Sequence, residues 1–136
     1  MFVPGQEYRR EDIHRLFGGQ RQAGIVTPRD HPVVLLFVSP TGEVYGYRDG
    51  WSDDGRWYFY TGEGQKGDMT FAHGNRAILR HREQGRELHL FERTRPGVYR
   101  YVGRMECDGY EFRPGVPDRT GRPRTVIVFR LRPVGS

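Results

Sequence analysis

The segment YGYRDGWSDDGRWYFYTGEGQKGDM, Tyr45 to Met69, places seven aromatic rings, six glycines and five carboxylates within 25 positions. Glycine lets a backbone approach a ligand closely, flat rings offer stacking faces, and a carboxylate accepts a hydrogen bond from an amino group such as the exocyclic N4 of cytosine. That combination is the chemistry of a captured base. Other arrangements fit worse. His73, Asn75 and His81 in HGNRAILRH echo a His-Asn-His nuclease, a reading that would need a strand-helix metal frame, whereas this run begins at a predicted helix start. In EGQK, Glu63 and Lys66 stand one position too far apart for an acidic-x-Lys nuclease signature. DGWSDDG puts Trp51 where a calcium loop needs its second oxygen ligand. A single cysteine, Cys107, permits neither Cys/His zinc spacing nor an internal disulfide. The sequence therefore predicts a binding domain with no catalytic residues, metal or cofactor.

Charge narrows the ligand. The chain carries 22 basic against 17 acidic residues, a net +5, and every cation but Lys66 is arginine. Arginine presents a planar fork suited to phosphates and guanine edges. No apolar run is long enough to span a bilayer, and MFVPGQEYRRED lacks the hydrophobic region of a signal peptide. The expectation is a cytoplasmic, nucleoid-associated protein with no membrane partner.

At 136 residues the chain is expected to form one domain, 1–136, with a single core. RREDIHRLF predicts a short helix over Arg9 to Phe17 with Ile13, Leu16 and Phe17 on one face, stopped by Gly18 and Gly19. VVLLFV (Val33 to Val38) predicts a buried strand, and EVYGY (Glu43 to Tyr47) alternates like its hairpin partner across the turn SPTG. RWYFYTG predicts another strand, and GNRAILRHREQG a second helix over Gly74 to Gly85 with Ala77, Ile78 and His81 on one face. Strands follow at ELHLFER, VYRYVGRMEC and TVIVFRL, the last two separated by RPGVPDRTGRPR (Arg113 to Arg124), which reads as a Pro/Gly-rich basic loop. The fold class is α+β: a mostly antiparallel curved sheet or open β-barrel with two helices.

GYRDGWSDDGRWYFYTGEGQKGD followed by GNRAI resembles the core signature of the SRA (SET and RING associated) domain: Gly-Tyr-acidic-Asp, an Asp/Gly loop, an aromatic strand ending Tyr-Thr-Gly-x-Gly, then Asn-Arg-Ala. GGQRQAGI resembles that domain's glycine-rich entry and VYRYVGRMECDGYEF its later strands, so the resemblance covers most of the chain. Bacterial domains of this kind occur in modification-dependent (type IV, McrA-like) restriction systems, often beside an HNH nuclease domain. The resemblance implies an SRA/PUA-like fold and a reader that flips 5-methylcytosine out of duplex DNA, with a nuclease domain or subunit as a further partner. It places Tyr47 and Tyr60 on either side of the base, Asp49 at its Watson-Crick edge, and Thr61 and Gly62 beside it. The match departs from the pattern at Gly50, where a second acid is frequent, and in one extra residue before Gly55, which leaves Asp53 open as the base reader and Trp51 as a stacking face. Other modifications, 5-hydroxymethylcytosine or a phosphorothioate linkage, stay open as ligands, as does a compact HNH-like nuclease as an alternative function.

Extruding a base costs a few kcal/mol, which stacking at about 1–3 kcal/mol per base and a carboxylate hydrogen bond offset. Thymine offers O4 in place of the amino group and would leave a carboxylate facing an acceptor. A methyl group contributes only about 0.8 kcal/mol, roughly a fourfold preference, unless the pocket shape amplifies it. Gln20, Arg21 and Gln22 lie in a loop suited to enter a groove, and Lys66, Asn75, Arg76, Arg119 and Arg122 complete the expected DNA contacts. Plainer readings exist for each: Tyr60 as core packing, Asp53 and Asp54 as turn formers, Asn75 as a helix cap and the loops as solvated.

Overall fold

The computed structural model describes residues 2–39 and 49–135. Its elements run β1 (Glu7–Arg9), α1 (Arg10–Phe17), β2 (Ile25–Val26), β3 (Val33–Val38), β4 (Gly50–Trp51), β5 (Tyr58–Thr61), α2 (His73–Leu79), β6 (Glu87–Arg95), β7 (Val98–Pro117) and β8 (Pro123–Pro133). The strands form one mixed sheet ordered β2-β3-β6-β7-β8-β5-β4, with β1 added along β7. Among the described residues the sheet does not close on itself. All pairings are antiparallel except β3 with β6, which run parallel from Val33 opposite Glu87 to Val38 opposite Glu92. The predicted strand at Glu43–Tyr47, and with it the pocket residue Tyr47, lies outside the described residues.

The unbroken apolar run of β3 has a direct cause. Its side chains alternate between two cores, Val34, Leu36 and Val38 entering one and Val33, Leu35 and Phe37 the other. A strand covered on both faces has no solvent side on which to place a polar residue. The first core gathers Tyr58, Tyr60, Ile78, Leu90, Ile127 and Phe129 beneath α2. The second gathers Ile13, Phe91, Tyr99 and Tyr101 beneath α1.

Three expectations are corrected by packing. In α1, Ile13 is buried and Phe17 packs on the second core, but Leu16 is 68% exposed and His14 takes the inner position, because residues 10, 13, 14 and 17 share the face turned to the sheet. The second helix stops at Leu79 and the chain turns through to Gly85 (φ +68°), held by the Arg86 amide on the His81 carbonyl at 2.7 Å. The predicted loop Arg113 to Arg124 is mostly strand, since β7 runs to Pro117 and β8 begins at Pro123. A register shift between Arg113 and Val116, with Gly115 at φ +76°, carries Pro114 through the ladder as a bulge, where a missing N–H costs nothing.

Candidate nucleic-acid interface

Asp49 lies just before β4 and meets Thr61 at the end of β5. Its Oδ1 accepts from the Thr61 amide at 2.9 Å and from the Thr61 hydroxyl at 2.6 Å. Its Oδ2 has no partner among the described residues. Burial pushes the Asp49 carboxyl above the ordinary carboxylate range, partly opposed by the two bonds from Thr61. Asp53, by contrast, is exposed in the turn that Ser52 and Asp54 build between β4 and β5. Trp51 is 45% exposed, with its ring edge-on to Tyr58 at 5.3 Å.

Tyr60 is only 4% exposed, its ring packed in the core beneath α2. Its hydroxyl donates to the Gly24 carbonyl at 3.2 Å, and burial with the nearby Asp49 and Glu63 charges raises its pKa. The ring thus ties the pocket strand to the foot of the loop at 20–23. Sequence reasoning missed the second tie, Arg10. Its Nε donates to His14 Nε2 at 3.0 Å, its guanidinium lies 3.9 Å above the Phe37 ring, and its Nη2 donates to the Ala23 carbonyl and, at 3.4 Å, to that of Gln20. Gln20, Arg21 and Gln22 are exposed on a loop whose base is held at both ends. An arginine four residues before a histidine on one helix face was the legible signal.

Asn75 is buried at 2% exposure and spends its amide inside the chain. Oδ1 accepts from the Glu63 amide at 2.8 Å, while Nδ2 donates to the carbonyls of Glu63 and Thr70, both at 2.9 Å. It neither caps α2, which begins after Ala72 without a side-chain cap, nor faces solvent, and it clamps the loop at 63–70 instead. The clamp explains Gly62: a Cβ there would lie 2.6 Å from Asn75 Oδ1. Gly74 has a similar reason, since its Cβ would meet Glu63 Oε2 at 2.7 Å.

The His-Asn-His grouping is not assembled. His73 is exposed, while His81 is buried with both ring nitrogens engaged, Nδ1 donating to the Arg86 carbonyl at 2.9 Å and Nε2 accepting from the Cys107 amide at 3.0 Å. No group of three or more His, Cys, Asp or Glu among the described residues is placed to hold a metal ion. No helix among them is long and apolar enough to cross a membrane.

Two polar clefts flank the Asn75-clamped loop. One, about 540 Å³, is lined by Gln20, Glu63, His73, Arg76 and Arg86. Another, about 560 Å³, is lined by Lys66, Asp68, Asp118, Arg122 and Arg124. The expected DNA contacts thus separate: Gln20 and Arg76 border the first cleft and Lys66 and Arg122 the second, while Arg119, in the β7–β8 turn, donates to the Gln65 side chain at 2.8 Å.

Residues 4–136 match the family model described as ScoMcrA-like, SRA domain. The chain superposes over its full length on the structure of the sulfur binding domain and SRA domain of ScoMcrA complexed with phosphorothioated DNA, at 28% identity and a TM-score of 0.78, covering 41% of that chain. It also matches the type IV phosphorothioation-dependent restriction endonuclease ScoMcrA, at 28% identity and a TM-score of 0.79, covering 29% of that longer chain. The fold is shared with the SUVH5 SRA domain in its hemi-methylated CG DNA complex, at 20% identity, a TM-score of 0.69, and coverage of 100% of this chain and 90% of that one. Comparison with curated proteins gives no match.

Proposed function

The chain belongs to the ScoMcrA-like SRA domain family, and on that premise we infer that it binds duplex DNA carrying a modified base and holds that base, flipped from the stack, beside Asp49. The observation that carries this reading is the Asp49–Thr61 pair: a half-buried carboxylate oriented by two bonds on one oxygen, with the other left to accept from a base amino group. Geometry favours Asp49 over Asp53, which no described contact orients. In the described conformation Tyr60 supplies a floor rather than an open stacking face, so the open rings are Trp51 and, by the resemblance, Tyr47. Gln20, Arg21 and Gln22 would fill the space the base leaves, which requires the fixed loop base that Arg10 and Tyr60 provide. Arg76 would approach the backbone from the first cleft. Asn75 acts as a positioning residue, not a contact.

5-Methylcytosine is the leading ligand by the resemblance, and an acceptor at the Watson-Crick edge suits the N4 amino group that it shares with other cytosines. A phosphorothioate linkage is the second reading, favoured by the phosphorothioated DNA in the structure of the 28% identical relative. That structure also contains a separate sulfur binding domain, and the present chain matches the SRA part. The chain is read as a non-catalytic recognition module, with cleavage supplied by a nuclease domain or subunit.

The test is a titration with four matched duplexes: unmodified, 5-methylcytosine, 5-hydroxymethylcytosine and phosphorothioate. The expected result is tighter binding of the 5-methyl duplex, abolished by Asp49→Ala while non-specific affinity persists. Equal affinity for all four with the parent protein would exclude the reading. Base flipping has its own signature, since a target already mismatched costs less to extrude. A mismatched 5-methylcytosine should therefore bind at least as tightly as a paired one, with 2-aminopurine beside it brightening.

A further inference from the structure

In the second cleft the carboxylates and the cations are satisfied in different ways. Two carboxylates line it, Asp118 engaged by the chain at both oxygens and Asp68 at one. Asp118 Oδ1 accepts from the amides of Thr120 and Arg122 and from the Thr120 hydroxyl at 2.7–3.0 Å, and Oδ2 accepts from the Gly67 amide at 3.3 Å. Asp68 Oδ1 accepts from the Thr125 amide at 2.8 Å. These bonds hold the Asp118 carboxyl well below the usual carboxylate range, with the Thr120 hydroxyl the largest cause.

The cations are treated in the opposite way. Lys66 and Arg122 are exposed, and their side chains make no hydrogen bond or ion pair among the described residues. Arg119 and Arg124 are held by neutral oxygens, Arg119 by the Gln65 amide and Arg124 Nη1 by the carbonyls of Gly64 at 2.9 Å and Gly67 at 3.0 Å. Arg124 Nε is the one buried side-chain polar atom among the described residues without a partner. Carbonyl ligands orient a guanidinium without neutralising it, so the cleft retains positive charge while its walls are locked together.

We propose that this cleft, between the loop at 64–68 and the β7–β8 turn, is a preformed seat for a phosphate oxyanion, with Lys66 and Arg122 as the contacting groups and Asp118 and Arg124 as the positioning residues. The seat rests on the DNA-binding reading for its natural ligand, a backbone phosphodiester, but is separate from the base pocket: it sets affinity and not preference. Its chemistry is equally that of free phosphate, and the experiment distinguishes the two sources.

Affinity for unmodified and 5-methyl duplexes is measured against salt for the parent, Lys66→Ala, Arg122→Ala and the double variant. Neither side chain holds the fold together, so the variants fold. Each phosphate contact contributes about 0.9 to the log-log slope, so each single variant should reduce its magnitude by about 1 and the double by about 2, weakening both duplexes alike. Arg132→Ala serves as a charge-matched control and should leave the slope unchanged. In parallel, inorganic phosphate is titrated at fixed ionic strength while the Gly67 and Thr120 amide signals are followed. A reduced duplex slope assigns the seat to DNA. Phosphate-induced shifts lost in the double variant, with an unchanged duplex slope, assign it to free phosphate. An unchanged slope together with no phosphate-induced shift overturns the seat. Failure of the base-pocket reading would show differently, as equal binding of the two duplexes with the slope changes intact.

Discussion

Arginine serves two purposes in this protein, and the β6–β7–β8 ladder and the cleft at the β7–β8 turn show them side by side. In the ladder, arginines stand opposite glutamates: Arg100 faces Glu92 across β6 and β7 and Arg132 faces Glu106 across β7 and β8, each pair 2.6 Å apart. Arg104 and Arg95 similarly reach Glu87 and Glu7. In the cleft, Lys66, Arg122 and Arg124 have no carboxylate partner among the described residues, and the two acids present accept from backbone amides and the Thr120 hydroxyl. The positive balance of the sequence is thus not spread evenly. These ladder pairs cancel charge strand to strand, whereas the cations of the cleft line a concave surface without a carboxylate partner among the described residues. A similar contrast holds for the other polar groups: Asn75 and His81 of the scaffold are fully engaged, whereas the Asp49 carboxylate keeps one oxygen open.

The sharpest way to separate scaffold from interface is to damage the scaffold alone. Leu88, on β6 away from β5, is fully buried in the core beneath α2, so Leu88→Ala should cost about 2–5 kcal/mol, read from the urea midpoint. The preference of the folded fraction for modified over unmodified duplex should not change. A changed preference would mean that the core and the base pocket are coupled.

Asn75→Ala should fall next, at about 1–3 kcal/mol, because it leaves the part-buried Glu63 amide without its acceptor and releases the carbonyls of Glu63 and Thr70. Since the clamp holds the loop that carries Lys66, this variant should also weaken binding to every duplex, without altering the ratio between them. Loss of preference alone would instead make Asn75 a base contact.

How far the sequence disclosed this arrangement differs by element. The strand VVLLFV and the aromatic strand ending Tyr-Thr-Gly were plain, because continuous or alternating apolar residues report burial directly. For the proposed pocket acid the sequence pointed to Asp49 with Asp53 open, and the Thr61 bonds together with the exposure of Asp53 favour Asp49. Leu16 misled because an eight-residue helix offers too few turns to fix its inner face, and a histidine paired with arginine satisfied the interior instead. The Pro/Gly-rich run at 113–124 misled more deeply. Its composition signals a loop, yet a bulge at Gly115 and the bonds of Asp118 convert it into a long hairpin with a five-residue turn at 118–122, information that depends on register rather than composition. The role of Arg124 was illegible for another reason: it acts on backbone carbonyls, which carry no sequence signature.

Acid sets a further test. His14, His81 and His89 are buried, and burial lowers the pKa of all three below the ordinary 6.5. The unfolded chain then binds protons first, so stability from these groups is full above about pH 6.5 and declines as the pH falls toward their folded values. Glu7, Asp54 and Asp118, whose pKa values are lowered, act in a more acidic window, below about pH 4. Asp49 works in the opposite sense, its raised pKa favouring the folded state as it protonates. The urea midpoint should therefore drop between pH 7 and 5. Preference for the modified base should drop as well once Asp49 takes up its proton, because a protonated carboxyl loses acceptor strength toward N4. A flat midpoint across that range would show that the histidines are not held neutral.

The smallest effect expected is also the one that bears most directly on the two uses of arginine. Arg132→Ala removes a cross-strand partner of Glu106 that is itself 46% exposed, and surface pairs of this kind are worth about 0.2–1 kcal/mol. Arg122→Ala removes no partner at all and should leave the urea midpoint unmoved. On DNA the order reverses: the Arg132 variant should bind like the parent, while the Arg122 variant loses affinity on all duplexes, the more so at low salt where counterion release is strongest. Both substitutions delete one positive charge, so a purely global electrostatic attraction would weaken the two equally. Equal weakening would dissolve the distinction between a neutralised ladder and a charged seat, and opposite ordering in stability and binding is what the unpaired cations of the cleft require.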